Sequence, residues 1–311
     1  MKCCLIVCFC AMLLLPAIAS AQSNATNGAG SAGAPTNAPG TPIARIIAAA
    51  ERNDSRAQFD LGCRYLRGDG VASNPVEAAV WIRKAAEQGH AEAQHRLGYL
   101  YQKAIGVQVD YQEARDWYQK AAEQGLAVAQ FHMGRLYAGS PQGIARDYKQ
   151  ALAWFEAAGD RGHVESQYLA AGMHACGLGT ETNLAKGASW MRRAAENGHP
   201  KAQFLYARMC AAGEGVPSSY KECAIWLRRA AEQGHSEAQH LLAGLLATGK
   251  GVSPDPIDAY KWFLLAAEGG IGEASERKFR LAELMTAAQI REAERRAREF
   301  VPERTYAGPV E

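Results

Sequence analysis

Residues 74–94 read NPVEAAVWIRKAAEQGHAEAQ, and parts of this stretch recur five more times along the chain. The recurrence is clearest at tryptophan, which occurs at Trp81, Trp117, Trp154, Trp190, Trp226 and Trp262. The steps between them are 36, 37, 36, 36 and 36 residues. A period in the thirties predicts a row of stacked helix pairs, in which each pair needs its neighbours to bury its apolar side.

Each tryptophan is predicted to lie in the middle of a helix, called helix B of its repeat. Seven residues earlier stands a side chain that can accept hydrogen bonds from the first helical amides: Asn74, Asp110, Asp147, Asn183, Ser219 and Asp255. Eight residues after the tryptophan comes a glycine suited to the left-handed turn that ends a helix: Gly89, Gly125, Gly162, Gly198, Gly234 and Gly270. These signals give helix B a beginning and an end.

A second helix, called helix A, precedes helix B in every repeat. Its marker is a glutamine, at Gln58, Gln94, Gln130, Gln167, Gln203 and Gln239. Apolar or small residues three, four and seven positions later place one face of helix A against helix B. A glycine eleven residues before each tryptophan is predicted to turn helix A into helix B: Gly70, Gly106, Gly143, Gly179, Gly215 and Gly251.

The combined pattern AQxxLGxxYxxGxGVxxNxxxAxxWxxxAAEQG resembles the Sel1-like repeat family, a relative of the tetratricopeptide repeats. We predict an all-α, right-handed superhelical solenoid of six repeats, at about 55–90, 91–126, 127–163, 164–199, 200–235 and 236–271. The predicted solenoid covers residues 42–300. Ile43–Asn53 is predicted to cap its N-terminal end, and residues 272–300 its C-terminal end, where Thr286 and Gln289 form a capping box.

The two ends of the chain carry different signals. Residues 1–21 combine Lys2, an apolar run and the small residues Ala19-Ser20-Ala21, which is typical of a cleavable signal peptide. We therefore expect a periplasmic or secreted protein that does not span a membrane after the signal is removed. Residues 22–41 are predicted to be a disordered linker, and residues 301–311 a flexible tail.

Composition and cysteine positions limit the chemistry. A net charge of +2 gives no reason to expect a nucleic-acid partner. The histidines at His90, His163, His199 and His235 are at least one repeat apart, too far to share a metal ion, so we expect no metal and no cofactor. Cys210 and Cys223 occupy facing positions of one hairpin, which makes a disulfide a hypothesis. A Cys176–Cys210 bond and free thiols are the alternatives.

By analogy with tetratricopeptide repeats, helices A line a concave groove, and its ligand-contacting positions lie one, five, eight and nine residues after the marker glutamine. These positions include Phe59, His95, Tyr99, Phe131, Arg135, Tyr168, Phe204, Arg208 and His240. Aromatic residues and arginines suit an extended or helical peptide, because the arginines can bind carboxylates. The other interpretation is that the aromatic residues only pack between neighbouring helices A.

The resemblance implies a non-catalytic protein–protein interaction scaffold of the bacterial envelope. One alternative is a penicillin-interacting or β-lactamase-like hydrolase, as some cysteine-rich Sel1-like proteins have been classed. Ser218–Lys221 and Ser275–Lys278 fit its Ser-x-x-Lys motif, but no Ser-Asp-Asn or Lys-Thr-Gly accompanies them. A further alternative is a purely structural array within a larger complex. The sequence therefore favours a protein or peptide partner over a substrate.

Overall fold

The computed structural model describes residues 41–303 and Tyr306. The predicted signal peptide, residues 22–40 of the predicted linker and residues 304, 305 and 307–311 of the predicted tail lie outside the described residues. The described chain divides into an N-terminal unit that ends at His163 and a C-terminal unit that begins at Val164. Its regular structure consists of fifteen α-helices without a β-strand. The prediction of an all-α repeat fold is therefore confirmed.

The helices of the N-terminal unit form an initial single helix followed by three A–B hairpins. They are α1 (Pro42–Glu51), α2 (Ser55–Arg67), α3 (Pro75–Glu87), α4 (Ala91–Lys103), α5 (Tyr111–Glu123), α6 (Ala127–Gly139) and α7 (Tyr148–Asp160). The C-terminal unit contains three further hairpins and two final helices. They are α8 (Val164–Cys176), α9 (Leu184–Glu196), α10 (Pro200–Ala212), α11 (Tyr220–Glu232), α12 (Ser236–Thr248), α13 (Pro256–Glu268), α14 (Gly272–Ala282) and α15 (Ala287–Arg298).

The predicted helix signals act as expected at both ends of helix B. Asn74 Oδ1 accepts hydrogen bonds from the amides of Val76 and Glu77, both at 3.2 Å, and the other five predicted caps accept at least one such bond. The glycines that follow helix B have φ angles between 85° and 90°. Since L side chains rarely adopt this conformation, glycine is required where helix B turns into the next helix A.

Close approach of the two helices within a hairpin depends on a small residue in helix A. A Cβ added to Gly98 would lie 2.8 Å from Tyr118 Cδ1, and one added to Gly134 would lie 2.6 Å from Phe155 Cδ1. A large side chain of helix B therefore fills the space that glycine leaves in helix A. In the C-terminal unit, the buried Ala171, Ala207 and Ala243 occupy the same position.

The marker glutamine of helix A connects neighbouring repeats through buried hydrogen bonds. Gln94 Nε2 donates to the carbonyl oxygen of Ala86, at the end of the preceding helix B, over 3.1 Å. Gln94 Oε1 accepts from Gln124 Nε2, at the end of its own repeat, over 2.8 Å. Gln203 makes the same two bonds, with the carbonyl oxygen of Ala195 and with Gln233 Nε2. Gln58 also makes both bonds, with the carbonyl oxygen of Ala50 and with Gln88 Nε2, whereas Gln130 Oε1 has no hydrogen-bond partner among the described residues. The buried amides of Gln58, Gln94 and Gln203, which join the ends of neighbouring helices within each unit, are called the glutamine ladder.

The two ends of the array are capped by helices that imitate parts of a repeat. At the N-terminal end, the carbonyl oxygen of Ala50 in α1 accepts from Gln58 Nε2, as a helix B would. At the C-terminal end, α15 packs on α13, and its Arg296 Nη1 lies 2.9 Å from Asp258 Oδ1. Thr286 and Gln289 form the predicted capping box at the start of α15. Both capping helices are consistent with the sequence prediction.

Candidate peptide-binding surface

The aromatic residues that follow the marker glutamines pack on the histidines that precede the next helix A. The ring centroids are 5.0 Å apart for Phe59–His90, 4.5 Å for Phe131–His163, 4.7 Å for Tyr168–His199 and 4.7 Å for Phe204–His235. The aromatic and histidine series, which the sequence suggests separately, therefore form one set of stacked pairs. Much of each aromatic ring is used for packing between repeats, as the packing interpretation expects.

Two of these histidines also cap the helices that they precede. His90 Nδ1 accepts from the amide of Ala93 over 3.3 Å, and His199 Nδ1 accepts from the amide of Ala202 over 3.1 Å. Because Nδ1 is the acceptor, the proton of a neutral ring lies on Nε2. In His199 this Nε2 lies 3.1 Å from Glu165 Oε2. Each of these two histidines thus packs on the aromatic ring of one helix A and caps the first turn of the next helix A.

A compact aromatic cluster occupies the interface between the second and third repeats. His132 stacks on Tyr118 at 4.8 Å with an interplanar angle of 7°, and His95 lies 5.1 Å from His132. His95 Nε2 and His132 Nδ1 are buried without a hydrogen-bond partner among the described residues. Burial and the charge of Arg96 lower the pKa of His95 to about 4. Burial and nearby cations also place the pKa of His132 well below 6.5.

Cationic side chains surround the exposed side of this cluster. Arg96 lies 5.7 Å and Lys103 5.8 Å from the ring centroid of Tyr99, and Arg135 lies 5.7 Å from that of Phe131. In the C-terminal unit, Arg208 lies 5.7 Å from the ring centroid of Phe204. These four cations form no ion pair with any residue that the structure describes. They can therefore bind carboxylates supplied by another molecule.

Not every predicted contact residue is accessible. Phe131 is 5% exposed and His240 is 7% exposed, which leaves little of either side chain for a partner. His240 packs on Phe263 at 5.7 Å, and its Nε2 lies 3.8 Å from Glu273 Oε2. The other predicted contact residues keep part of their surface: Phe59, His95, Tyr99, Arg135, Tyr168, Phe204 and Arg208. Among these seven residues, Arg135 is exposed and the other six are half-buried.

Cys210 and Cys223 are not bonded to each other in the structure. Cys210 and Cys223 are both buried, and they are close enough for the charge of one to affect the other. Burial, and to a lesser extent the nearby thiol of Cys210, raises the pKa of Cys223 to about 11. A thiol with a raised pKa is a poor nucleophile at neutral pH. The disulfide between these two residues stays a prediction.

Neither serine motif is arranged as a catalytic site. Ser218 Oγ donates to the carbonyl oxygen of Ala211 over 3.1 Å, which satisfies a carbonyl group in the last turn of α10. Ser275 lies on the exposed surface of α14, beside Glu276, Phe279 and Arg280. Over residues 41–303 and Tyr306, no three side chains come together as metal ligands, and no helix has the length and apolar character needed to cross a membrane.

Sequence reasoning named His95, Tyr99 and Arg135, but it missed the other members of this region, Arg96, Lys103, Tyr118 and His132. The available signal was the polar ring of Tyr118 just after Trp117, where the other repeats have Ile82, Phe155, Met191, Leu227 and Phe263, together with His132 just after Phe131. Both residues place a polar ring next to the predicted position of His95. The pattern alone could not show that the three rings meet, because they come from helices α4, α5 and α6.

Comparison with known proteins agrees with this geometry. A profile of the Sel1 repeat matches residues 55–90, 91–126, 127–163, 164–199, 200–235 and 236–271. The solved Sel1 repeat protein from Oxalobacter formigenes is 34% identical, with a TM-score of 0.62, over 75% of this chain and 67% of that one. A comparison with curated protein sequences gave no match.

A second solved structure is c5321, described as a protective antigen present in uropathogenic Escherichia coli strains. It is 28% identical with a TM-score of 0.52, and the match covers 83% of this chain. The chain spans 63% of the length of that structure. The six matched repeats and the identity to the Oxalobacter protein lead to one conclusion: the chain belongs to the Sel1 repeat family.

Proposed function

We propose that this chain is an exported interaction scaffold that binds an acidic peptide or protein segment on the surface of its helices A. Sel1 repeat proteins are generally non-catalytic scaffolds for protein interactions, which supports the general class. Export is supported by the sequence of residues 1–21, which is typical of a signal peptide. A location in the periplasm or outside the cell follows from that proposal.

The observation that carries the proposal is the group of unpaired cations around Tyr99. Arg96 and Lys103 lie beside its ring, and Arg135 extends from the next helix A. Elsewhere on the surface, arginines such as Arg115 and Arg192 pair with carboxylates of their own helix. Cations without internal partners, placed beside a half-buried aromatic ring, are suited to bind a segment that supplies both carboxylates and apolar contacts.

The test is charge reversal at Arg135 and Arg208 together. The double variant Arg135→Glu, Arg208→Glu is expected to capture at least tenfold less partner from an extract of the source organism, because it repels carboxylates at both sites. The measurement is affinity capture followed by quantitative mass spectrometry. The intact mass of the chain purified from its own cells shows in the same experiment whether residues 1–21 are removed.

The matched control is the double variant Arg115→Glu, Arg192→Glu, which changes the net charge equally on helices B. It is expected to capture the same proteins as the parent chain. Equal capture by both double variants and the parent would show that the helix A surface is not the binding site. An intact mass that includes residues 1–21 in every cell fraction would contradict export by this signal.

A further inference from the structure

Beyond α15, the described residues 300–303 and Tyr306 contact the C-terminal unit. The ring of Phe300 meets that of Trp262 edge-on, with centroids 5.3 Å apart and an interplanar angle of 77°. The amide of Glu303 donates to the carbonyl oxygen of Glu232, the last residue of α11, over 2.8 Å. Pro302 packs beside Gly234, where an added Cβ would be 3.4 Å from the proline ring. The contacts pass from α13 to the end of α11, so this part of the chain runs back along the helices B, against the order of the repeats.

Tyr306 continues this path to the previous repeat junction. Its ring centroid lies 4.9 Å from that of His199, and its hydroxyl donates to Glu165 Oε2 over 3.4 Å. His199 also stacks on Tyr168 with an interplanar angle of 11°. Burial and the charge of Glu165 raise the pKa of Tyr306 to about 12, so its hydroxyl remains a donor at neutral pH. The tyrosine is therefore held by a tilted ring contact with His199 and by a hydrogen bond.

The geometry of the tail suits a peptide rather than a packed helix. Three residue steps from Glu303 to Tyr306 reach at most about 10 Å, which is the spacing of two packed helices. The accepting carbonyl of Glu232 is one of the four that the last turn of a helix leaves free. The tail thus makes a main-chain hydrogen bond to one repeat and a ring contact with the neighbouring repeat. Any extended segment with a suitably placed tyrosine can make the same two contacts.

The junction that holds Tyr306 differs from the equivalent junctions. Three residues before the stacked aromatic residue, this repeat has Glu165, whereas the other three have Arg56, Val128 and Lys201. Only Glu165 can accept a hydrogen bond from a tyrosine hydroxyl. His199 has the most buried ring of the three compared, with 5% of its side chain exposed against 17% for His90 and 15% for His235.

We propose that Glu165, Tyr168, His199, Glu232 and Gly234 form a tail-docking site that recognises an extended, tyrosine-containing segment of a partner protein. The chain's own tail occupies this site and competes with that partner. The proposal rests on the proposed scaffold function and adds a second site to it, with a different ligand chemistry. The occupied site shows the ligand's three features: a proline on Gly234, an amide on Glu232 and a tyrosine on His199.

The test uses a fluorescent peptide with the sequence of residues 299–311, EFVPERTYAGPVE, and fluorescence anisotropy. The full chain carrying Tyr306→Ala is expected to bind this peptide at least tenfold more tightly than the parent, because its internal competitor lacks the ring that contacts His199. Adding His199→Asn is expected to weaken binding at least tenfold. Asparagine still accepts a hydrogen bond at the start of α10 but offers no ring.

Two controls separate recognition from general destabilisation. His90→Asn makes the same exchange at the start of α4 and is expected to leave peptide binding unchanged. A peptide with alanine in place of its tyrosine is expected not to bind. Circular dichroism checks that every variant keeps its helices.

Absence of peptide binding to the Tyr306→Ala chain would overturn the proposal, as would equal affinities of the His199→Asn and His90→Asn variants. Either result would leave the tail as a packing element. The test is independent of the charge reversal at Arg135 and Arg208, since neither arginine contacts the residues of the tail that the structure describes. Failure of that experiment with success of this one would reject the helix A surface and retain the tail-docking site.

Discussion

Replacement of Gly106 by alanine is expected to lower the free energy of unfolding by more than about 4 kcal/mol, which is rare for a single substitution. Gly106 has a φ of 68°, and an added Cβ would lie 2.0 Å from the carbonyl oxygen of Pro75. That oxygen belongs to the first turn of α3 in the preceding repeat, so it cannot move away without disturbing the helix. The substitution therefore separates two neighbouring repeats.

The matched control is Gly89→Ala, which isolates the cost of the backbone conformation. Gly89 has a φ of 87°, but a Cβ at this position would meet nothing within 4 Å. Its substitution is expected to cost only about 1–2 kcal/mol, the penalty for a left-handed L residue. Urea unfolding followed by circular dichroism measures both variants. Equal destabilisation would mean that the loop of one repeat does not pack tightly on the helix of the previous one.

Acidification is expected to destabilise the N-terminal unit through its buried histidines. The pKa of His95 is about 4 in the folded chain, below the value of 6.5 for an exposed ring. The unfolded chain therefore binds more protons as the pH falls, and this histidine's contribution to stability is full above pH 6.5. It decreases between pH 6.5 and about 4, by about 3 kcal/mol in total.

The titratable side chains that act on His95 and His132 are all basic. No carboxylate therefore offsets the cost of protonating either buried imidazole. Arg96 acts on His95, and His95, Arg135, His163 and Lys103 act on His132. Replacing His95 by phenylalanine keeps a ring of similar size but removes the titration. The difference in unfolding free energy between parent and His95→Phe, measured in urea at pH 7.5 and pH 4.5, should change by about 2 kcal/mol. A constant difference would show that His95 has the same pKa in the folded and unfolded chains, which would contradict the lowered pKa that its burial implies.

Most of the fold was predictable from the sequence because its signals are local and recur. The caps and glycines at the ends of helix B act within a few residues, and six copies remove the ambiguity of any single one. The hydrogen bonds between repeats were harder to predict from the sequence than the ends of the helices. The glutamine of helix A served as a marker of the pattern, but its partners lie 8 and 30 residues away, on the helix ends of two repeats.

The candidate sites were predictable only in part. Arg135 and Arg208 followed from the repeat register, because one position of helix A recurs in every copy. The burial of Phe131 did not follow, since it depends on His163 at the end of the repeat. The contacts of Tyr306 were not predictable either. Glu165 lies 141 residues away, and the tail carries no repeat signal of its own.

The glutamine ladder carries the central claim that neighbouring repeats hold each other in place. Gln203 is 4% exposed, and its replacement by methionine keeps the approximate shape while removing the bonds to Ala195 and Gln233. Loss of both partners is expected to cost about 2 kcal/mol. The control is Gln119→Met, because exposed Gln119 bonds only to Glu123 of its own helix.

Native-state hydrogen exchange of the Gln203→Met chain is the most direct test. The account predicts that amides at the end of α9, in α10 and in α11 exchange about thirtyfold faster, because both neighbouring repeats lose support. The Gln119→Met chain should exchange as the parent does. Faster exchange confined to α10, with α9 and α11 unchanged, would contradict the claim.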